Sequence, residues 1–470
     1  MAVIDSGTDA VALDDTELQR DRLLIQLGAQ RAYLRKMWNW YRGKQELPAV
    51  PVRYEQAYRL LINRAVTPWA RLVVDSIAER LHVIGMRSAT DEDAAARAWD
   101  CFMHCRMNAD QRLVYTESLV GGTGYVSVSR NGDEVFMAAE SGFEVTHETQ
   151  PGSQRRTAAA LKLYPADWTY RHWRVELFCP EATFRWEATV PKPSRSMATD
   201  TFPVDDERLG DVSWTEIEGV HNPTGQVPIV PFENRFDVLS GGESEIEDLI
   251  PILQRIDKLT LDELLTSDTA AFRQKWATGL EVPVDPKTDQ PIEPFKAAVD
   301  RLWVSTKEGT RFGTFEASDL GPYLIAKDAE IAALAAISRV PSHFLMQRNL
   351  ANPPTAESLI AGESGLVAKA EDHQVQLGER WEQVAALVLR FHGIDVDVAD
   401  LEMQWQNAER RNPAQVADTA VKLKSVDVPL WAIWEYLGFT PEDVSRFQRD
   451  AAASELLAAA LAPQVPTVAA

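Results

Sequence analysis

The stretch from Glu316 to Phe391 constrains the chain most, because it reads as a helix, a proline-bounded loop and a very long second helix. The first helix carries Ala326, Ala329, Ala332, Ala333, Ala335 and Ala336 beside Leu324, Ile331, Leu334 and Ile337. Alanine is the strongest helix former, and its small side chain lets a neighbouring helix approach closely. The pattern stops at Arg339-Val340-Pro341, since proline disfavours helical geometry in the residue before it. Residues 341–354 (PSHFLMQRNLANPP) show no period and have prolines at both edges. Thr355 then fits an N-cap, with Glu357 in the first turn where the helix dipole favours an acid. Leu359, Leu366, Ala370, His373, Leu377, Trp381, Val384 and Val388 fall on one face of this second helix. At 1.5 Å per residue it spans roughly 55 Å. Two helices joined by a protruding loop suit a mechanical part better than an active-site cleft.

The rest of the chain limits the alternatives. At 470 residues it is long enough for about three domains, and 45% hydrophobic residues allow sizeable cores. No apolar run approaches the ~18 residues of a membrane span. The acidic start, MAVIDSGTDAVALDDTE, lacks the basic-then-apolar order of a signal peptide. Three cysteines do not make a disulfide framework, which favours a reducing compartment. A formal net charge of −22 excludes a broad nucleic-acid-gripping surface, which needs clustered Lys and Arg. It does not exclude a protein past which DNA slides without sticking.

In chain order, residues 1–16 predict no stable structure. Leu18 to Tyr41 predicts a helix with Leu23, Leu24, Leu27, Tyr33, Leu34 and Trp38 apolar, and Leu47 to Pro51 an extended piece. Tyr54 to His82 predicts two helices broken at Pro68, with Trp69, Leu72, Val73, Ile77 and Leu81 inward on the second. Asp91 to Leu119 predicts one more helical region. From Tyr125 to about Val230 alternation at period two predicts strands, with a tight turn at Asn131-Gly132 and Trp168, Trp173, Trp186 and Trp214 along the way. Val190 to Asp206 reads as a polar loop, and Val227 to Phe232 closes this part. After Gly241-Gly242 a long helix runs to about Phe272, with Pro251 tolerated in its first turn. Between Glu243 and Phe272 there are eight acids and two bases, so this helix is distinctly negative. Trp276 to Gly313 is a proline-bearing excursion with short strands, which leads back to the Ala-rich helix. Gly393 to Trp405 holds a strand. Asn412-Pro413 opens a small helical domain, in which Thr440-Pro441-Glu442-Asp443 starts a further helix, and Ala462 to Ala470 reads as a tail.

Motifs that carry chemistry are sparse. No G-x-x-x-x-G-K-[ST] occurs, so the usual phosphate-cradling loop of an ATPase is missing. Gly121-Gly122-Thr123-Gly124 follows a helix and precedes a strand, the reverse of the dinucleotide-binding order, and reads as a helix stop. Cys101, His104 and Cys105 share a helical segment, but a zinc site wants four ligands and no second cluster exists; free core cysteines are the simpler reading. Fourteen tryptophans and 70 acids are compatible with a monomeric, helical-scaffold enzyme such as a carboxylate-dependent hydrolase. The acids are nevertheless spread over helix faces with no focused pair, and no G-x-S-x-G or H-E-x-x-H stretch supports one. No catalytic residue, metal or cofactor is expected.

Several separated stretches together resemble the portal proteins of tailed bacteriophages, especially long-tailed phages of actinobacteria. They are Tyr41-Arg42-Gly43-Lys44, Pro68 to Asp75 (PWARLVVD), Ala270 to Leu280 (AAFRQKWATGL), Phe315 to Leu320 (FEASDL) and Gly365 to Lys369 (GLVAK). The resemblance covers about Tyr33 to Phe447. It implies an α+β, mostly helical portal fold with wing, stem, clip and crown, assembling as a ring, typically a dodecamer, at one capsid vertex. Residues 1–240 would be the wing with its β-rich part, 241–272 the first stem helix, 273–315 the clip and 316–340 the second stem helix. Residues 341–354 would be the tunnel loop, 355–409 the long wing helix and its return, and 410–470 the crown and C-terminal tail.

The resemblance also implies partners. Double-stranded DNA passes through the channel without sequence readout. Terminase and head-completion adaptors dock on the clip, and major capsid and scaffolding proteins surround the ring. The protein would assemble in the host cytoplasm and reside in the virion, with no membrane partner. Gln347, Arg348, Asn349 and Asn352 would be the polar loop residues facing DNA, with Arg348 touching phosphate transiently. Asp257, Asp262, Glu263 and Asp268 mark the acidic stem helix. An acidic channel repels phosphate and so keeps DNA centred and sliding. Head-to-tail contacts that close on rotation make a ring. A capsid shell or scaffolding protein is a further competitor, and would form sheets or shells instead of one closed ring.

Overall fold

The computed structural model describes residues 9–46, 61–168, 171–189, 212–237, 241–271, 275–279, 309–314, 319–346, 355–409, 413–439 and 441–461. The architecture is α+β with helices predominating. Helix α1 (Asp9–Arg42) buries Leu23, Leu24, Leu27 and Leu34, the positions its spacing predicts. It begins earlier than expected, within the stretch 1–16 read as unstructured. Ala10, Ala12 and Leu13 are good helix formers. Residues 61–65 are helical, Pro68 interrupts, and α2 (Trp69–Ala78) buries Val73 and Ile77. The extended piece expected at Leu47 to Pro51 lies outside the described residues.

The single helical region expected over Asp91 to Leu119 is two helices, α3 (Glu92–His104) and α4 (Met107–Gly121). The Asp91 carboxylate accepts from the Ala94 N–H at 3.0 Å and caps α3. Arg106 sits between them in the left-handed region, at φ 61°, and turns the chain. That conformation leaves no trace in hydrophobic spacing.

The β-rich part is two sheets, where period-two alternation marks only strands. Strands β2 (Thr123–Asn131), β3 (Glu134–Glu140) and β9 (Ile229–Glu233) form one, in the order β3-β2-β9, all antiparallel. The expected turn at Asn131-Gly132 joins β2 to β3, with Gly132 at φ 63°. Strands β4 (Val145–Gln150), β5 (Ser153–Pro165), β6 (His172–Phe178), β7 (Ala182–Thr189) and β8 (Thr215–His221) form a five-stranded antiparallel meander. One face of the meander packs on α1: Leu23, Leu24 and Leu27 meet Leu161, Leu163, Trp173, Val175, Leu177 and Trp186. Trp173 and Trp186 are buried, whereas Trp168 is fully exposed. Residues 190–211, which include the expected polar loop, lie outside the described residues.

Helix α5 (Ile250–Ala271) follows, with Pro251 in its first turn as expected. Strands β10 (Lys275–Thr278) and β11 (Arg311–Thr314) pair antiparallel, so the excursion between α5 and the next helix leaves and returns at one place. That helix, α6 (Gly321–Ser338), is shorter than the expected 316–340. Pro322 fits its first turn, and Asp319 Oδ1 accepts from the Gly321 N–H at 2.9 Å just before it. It ends at Arg339, in the left-handed region at φ 60°. The expected loop then opens with a single helical turn, α7 (Ser342–Leu345).

Helix α8 (Ala356–Phe391) has 36 residues and is about 54 Å long. Thr355 caps it as expected, its Oγ1 accepting from the Ser358 N–H at 3.2 Å. Leu366, Ala370, His373, Leu377, Trp381, Val384 and Val388 are all buried. Trp381 is the hub of the main core. Its ring lies 4.8 Å from Phe232 and 5.3 Å from Phe102, and its Nε1–H donates to the Tyr115 hydroxyl at 2.9 Å. The return strand β12 (Leu401–Trp405) pairs with β1 (Val83–Ser88), a contact across more than 300 residues. Three helices, α9 (Pro413–Ser425), α10 (Leu430–Tyr436) and α11 (Pro441–Leu461), complete the chain; Arg87 pairs with Glu435 to tie α10 to β1.

Candidate assembly site on the helical hairpin

Helices α5 and α6 pack against each other and are joined by three-dimensional charge pairing that neither sequence alone displays. Arg255 on α5 donates to Glu330 on α6 at 2.8 Å, and Lys327 on α6 pairs with Glu263 on α5. Lys258 pairs with Asp262 one turn along α5. Asp257 is buried: its Oδ2 accepts from Gln45 Nε2 at 2.9 Å, and burial pushes its carboxyl up. Of the four acids that mark this helix, only Asp268 is both exposed and without a partner among the described residues. Gln347, Arg348, Asn349 and Asn352 lie outside the described residues.

The small side chains of α6, expected to let a neighbouring helix approach closely, divide between an inner and an outer face. Ile331, Leu334 and Ala335 turn inward. Ile325, Ala329, Ala332 and Ala336 are exposed, at spacings of four, three and four, so they form one smooth apolar stripe. Ile325 is 71% exposed and Ile337 beside the stripe 57%. A second smooth face lies on the first half of α8, where Ala361, Gly362, Ser364, Gly365 and Ala368 are exposed. Each interior glycine costs a helix about 1 kcal/mol relative to alanine. Among the described residues nothing accounts for Gly362, where an added Cβ would meet no atom within 4 Å. At Gly365 it would meet only Arg339 Cβ at 3.9 Å. The two glycines were the available sequence signal for this face.

Other groups with catalytic potential are occupied structurally. A cavity of about 650 Å³ is lined by Gln26, Gln30, Tyr33, Tyr125, His147 and Glu233, among others. Tyr125 Oη and His147 Nδ1 are 3.1 Å apart, Tyr33 donates to Glu247 at 2.6 Å, and Glu233 accepts from Arg380 at 2.7 Å. Burial, with the nearby Arg380, pushes His147 down to about 4. Cys101 and Cys105 share a helix face with their sulfurs 4.0 Å apart, and burial beside Cys105 pushes the Cys101 thiol up to about 12. Cys101 Sγ donates to the Val135 carbonyl at 3.4 Å. Among the described residues no group of three or more His, Cys, Asp or Glu side chains is placed to hold a metal ion.

The structure thus combines a long helix buried over its second half, a charge-paired hairpin and two helix faces of small side chains that are exposed among the described residues. The family described as "Phage portal protein, SPP1 Gp6-like" matches residues 22–441. The chain belongs to this phage portal protein family, and its role is that of a portal protein, a structural component of a phage particle. It is 26% identical over 434 residues to the portal protein of Mycobacterium phage D29, covering 89% of this chain and 84% of that one. To the portal protein of Mycobacterium phage L5 it is 23% identical over 423 residues, covering 87% and 82%. Among solved structures it is similar to a chain of the virion of the native gene transfer agent particle, at 12% identity and a TM-score of 0.43, covering 84% of this chain and 96% of that chain. A chain in the neck of the empty gene transfer agent particle, computed with C6 symmetry, gives 12% identity and a TM-score of 0.44 over the same shares.

Proposed function

We propose that the chain closes into a ring, twelve copies being the expected number, at one vertex of a capsid, and that double-stranded DNA passes through its centre. The observation that carries the ring is the exposed stripe Ile325, Ala329, Ala332 and Ala336 on α6. A helix of this kind gains by packing on a second copy, since small side chains allow close interhelical approach. The smooth α8 face around Gly362 supports a second surface, as a head-to-tail contact needs two different patches. Helices α5 and α6 are then the stem (241–272 and 316–340), and β10–β11 open the clip (273–315). The part up to 240 is the wing, 341–354 the tunnel loop, 355–409 the long wing helix and return, and 410–470 the crown.

The partners follow from that placement: terminase and head-completion adaptors at the clip, and major capsid and scaffolding proteins around the ring. Assembly takes place in the host cytoplasm, before the ring enters the particle. A net charge of −22 disfavours phosphate contacts along the channel, so DNA is passed and not gripped. Arg348, by its sequence position in the loop, is the cation that would touch phosphate briefly. The test is the mass of the purified protein by light scattering, with negative-stain imaging. Closed rings with a central hole, at a mass many times 52.5 kDa, are expected. A species that stays single at high concentration and with scaffolding protein present overturns the ring.

A further inference from the structure

A cavity of about 450 Å³ lies where the start of β5, strand β9 and the second half of α8 meet. Its floor is apolar: Val227, Ile229, Val230 and Leu387 line it, and all four are buried. Its rim carries Arg155 and Arg156 from β5, and no Asp or Glu lines it among the described residues. In a chain of net charge −22, a wall with two arginines and no carboxylate runs against the trend. The volume falls within the range of small-molecule sites, roughly 300–1,000 Å³.

Neighbouring residues of a regular strand point to opposite faces of its sheet. Arg155 and Arg156 nevertheless line one cavity, and the pairing of β4 with β5 is irregular at that place. Thr149 lies opposite Thr157, but the next residue, Gln150, lies opposite Ser153, so residues 154–156 have no residue across from them. Bulges of this kind re-aim side chains and recur beside functional sites. The two arginines differ in their partners. Arg155 pairs with Glu379 on α8 at 3.1 Å, and its guanidinium carbon lies 5.3 Å from the centre of the Phe236 ring. Arg156 is exposed and pairs with no carboxylate among the described residues. Gln383 on α8 adds a donor to the cavity wall: its Oε1 accepts from Arg380 at 3.3 Å, which leaves its amide NH2 group for a further partner.

We propose that this cavity binds a small amphiphilic anion, a carboxylate on an apolar tail, with Arg156 and Gln383 at the carboxylate and Val227, Ile229 and Leu387 under the tail. A guanidinium offers parallel N–H donors that match the two oxygens of a carboxylate. Seating the tail on the floor removes apolar surface from water. A neutral apolar molecule would leave Arg156 without a partner, and a cation would meet two guanidinium groups. The site goes beyond ring closure and does not depend on it, because every wall belongs to one chain.

The test is isothermal titration calorimetry of the full chain near neutral pH with octanoate, octan-1-ol and octylammonium, which share one tail and differ in head group. Octanoate should bind about tenfold tighter than octan-1-ol, the difference that one charge-assisted contact makes. Octylammonium should bind weakest, although a net charge of −22 draws cations to the chain as a whole. Arg156→Gln should weaken octanoate about tenfold and leave octan-1-ol unchanged. Leu387→Trp, which fills the floor, should abolish the binding of both. Should Leu387→Trp fail to fold, Arg156→Gln decides alone, since that side chain is exposed and holds no other part of the chain. Octanoate that does not bind, that binds no tighter than octylammonium, or that binds Arg156→Gln as tightly as wild type overturns the site. Because the titration uses no contact between copies, a site that fails leaves the ring standing, and a failed ring leaves the site testable.

Discussion

Replacing Ala332 by arginine separates the needs of the single chain from those of the assembly. Ala332 is exposed in the subunit, in the middle of a stripe that runs from Ile325 to Ala336. Eleven residues of helix make that stripe about 16 Å long. In the isolated chain the change touches nothing, and alanine and arginine differ in intrinsic helix propensity by only about 0.2 kcal/mol. Melting temperature should move by no more than about 1–2 °C. In the proposed ring the same position would face another copy. Alanine faces let helix axes approach to about 8 Å, which leaves no space for a guanidinium. Burying that charge unpaired, or splaying the helices to solvate it, costs about 3 kcal/mol or more at each contact. Each 1.4 kcal/mol is a factor of ten, so every contact weakens by roughly a hundredfold or more, and a closed ring repeats the loss at each subunit. The assay is light scattering with imaging at matched concentration, beside a thermal melt. Ala96→Arg, on the exposed face of α3, is the control and should leave rings intact. Rings of wild-type mass from Ala332→Arg would refute the placement of this stripe between copies, whatever else holds the ring.

Two further outcomes follow from the interior. Trp381→Ala should cost about 3–5 kcal/mol in urea unfolding, because it empties a fully buried site and leaves the Tyr115 hydroxyl without its indole donor; a loss below about 1 kcal/mol contradicts its place as hub of the core. Burial pushes the Glu117 carboxyl up to about 7 from an ordinary 4.5, against hydrogen bonds from Ser141 and Gly142 that lower it. Below pH 4.5 the group is protonated folded and unfolded, so it adds no penalty. As pH rises to about 7 the unfolded chain ionises first and stability falls, by at most about 3 kcal/mol. Glu117→Gln should therefore stabilise the protein at pH 8 and change little at pH 4, as urea titrations at the two pH values would read; equal effects at both contradict the burial argument.

Much of α8 was legible because one physical rule governed it. Its buried positions recur with helical period, and Thr355 and the prolines punctuate its start. In α6 the same rule became ambiguous. Leu324, Ile325, Ile331, Leu334 and Ile337 are distributed around the helix, and periodicity cannot say which of them face a core and which face water in the subunit. The acidity of α5 was legible as composition but not as charge at the surface. Lys258 opposite Asp262 lies one turn along α5 itself, but Lys327 opposite Glu263 arrives from a helix more than 60 residues away. Asp257 illustrates the same limit: Gln45 lies 212 residues earlier, and no spacing along the chain announces their bond. The break at Arg106 and the strained end at Arg339 are backbone events at ordinary polar residues, where glycine would have given a signal.

The internal pairing also changes where repulsion acts on anything that passes the hairpin. A helix with bare acids along its length would repel phosphate evenly. Here Arg255, Lys258 and Lys327 each hold a carboxylate, and Asp257 is enclosed. Paired charges close together cast a weak field at a distance, and salt screens what remains beyond about 8–10 Å. The exposed carboxylate left on α5 is Asp268, near the end that leads into β10. Repeated around a ring, such residues would form a narrow negative collar at the clip end, above a stem whose paired charges are close to neutral. Such a collar would centre a polyanion at the entrance, while the paired charges along the helices would neither hold it nor push it back. The pairing that joins the two helices is thus the same pairing that would make the hairpin smooth to a sliding phosphate backbone.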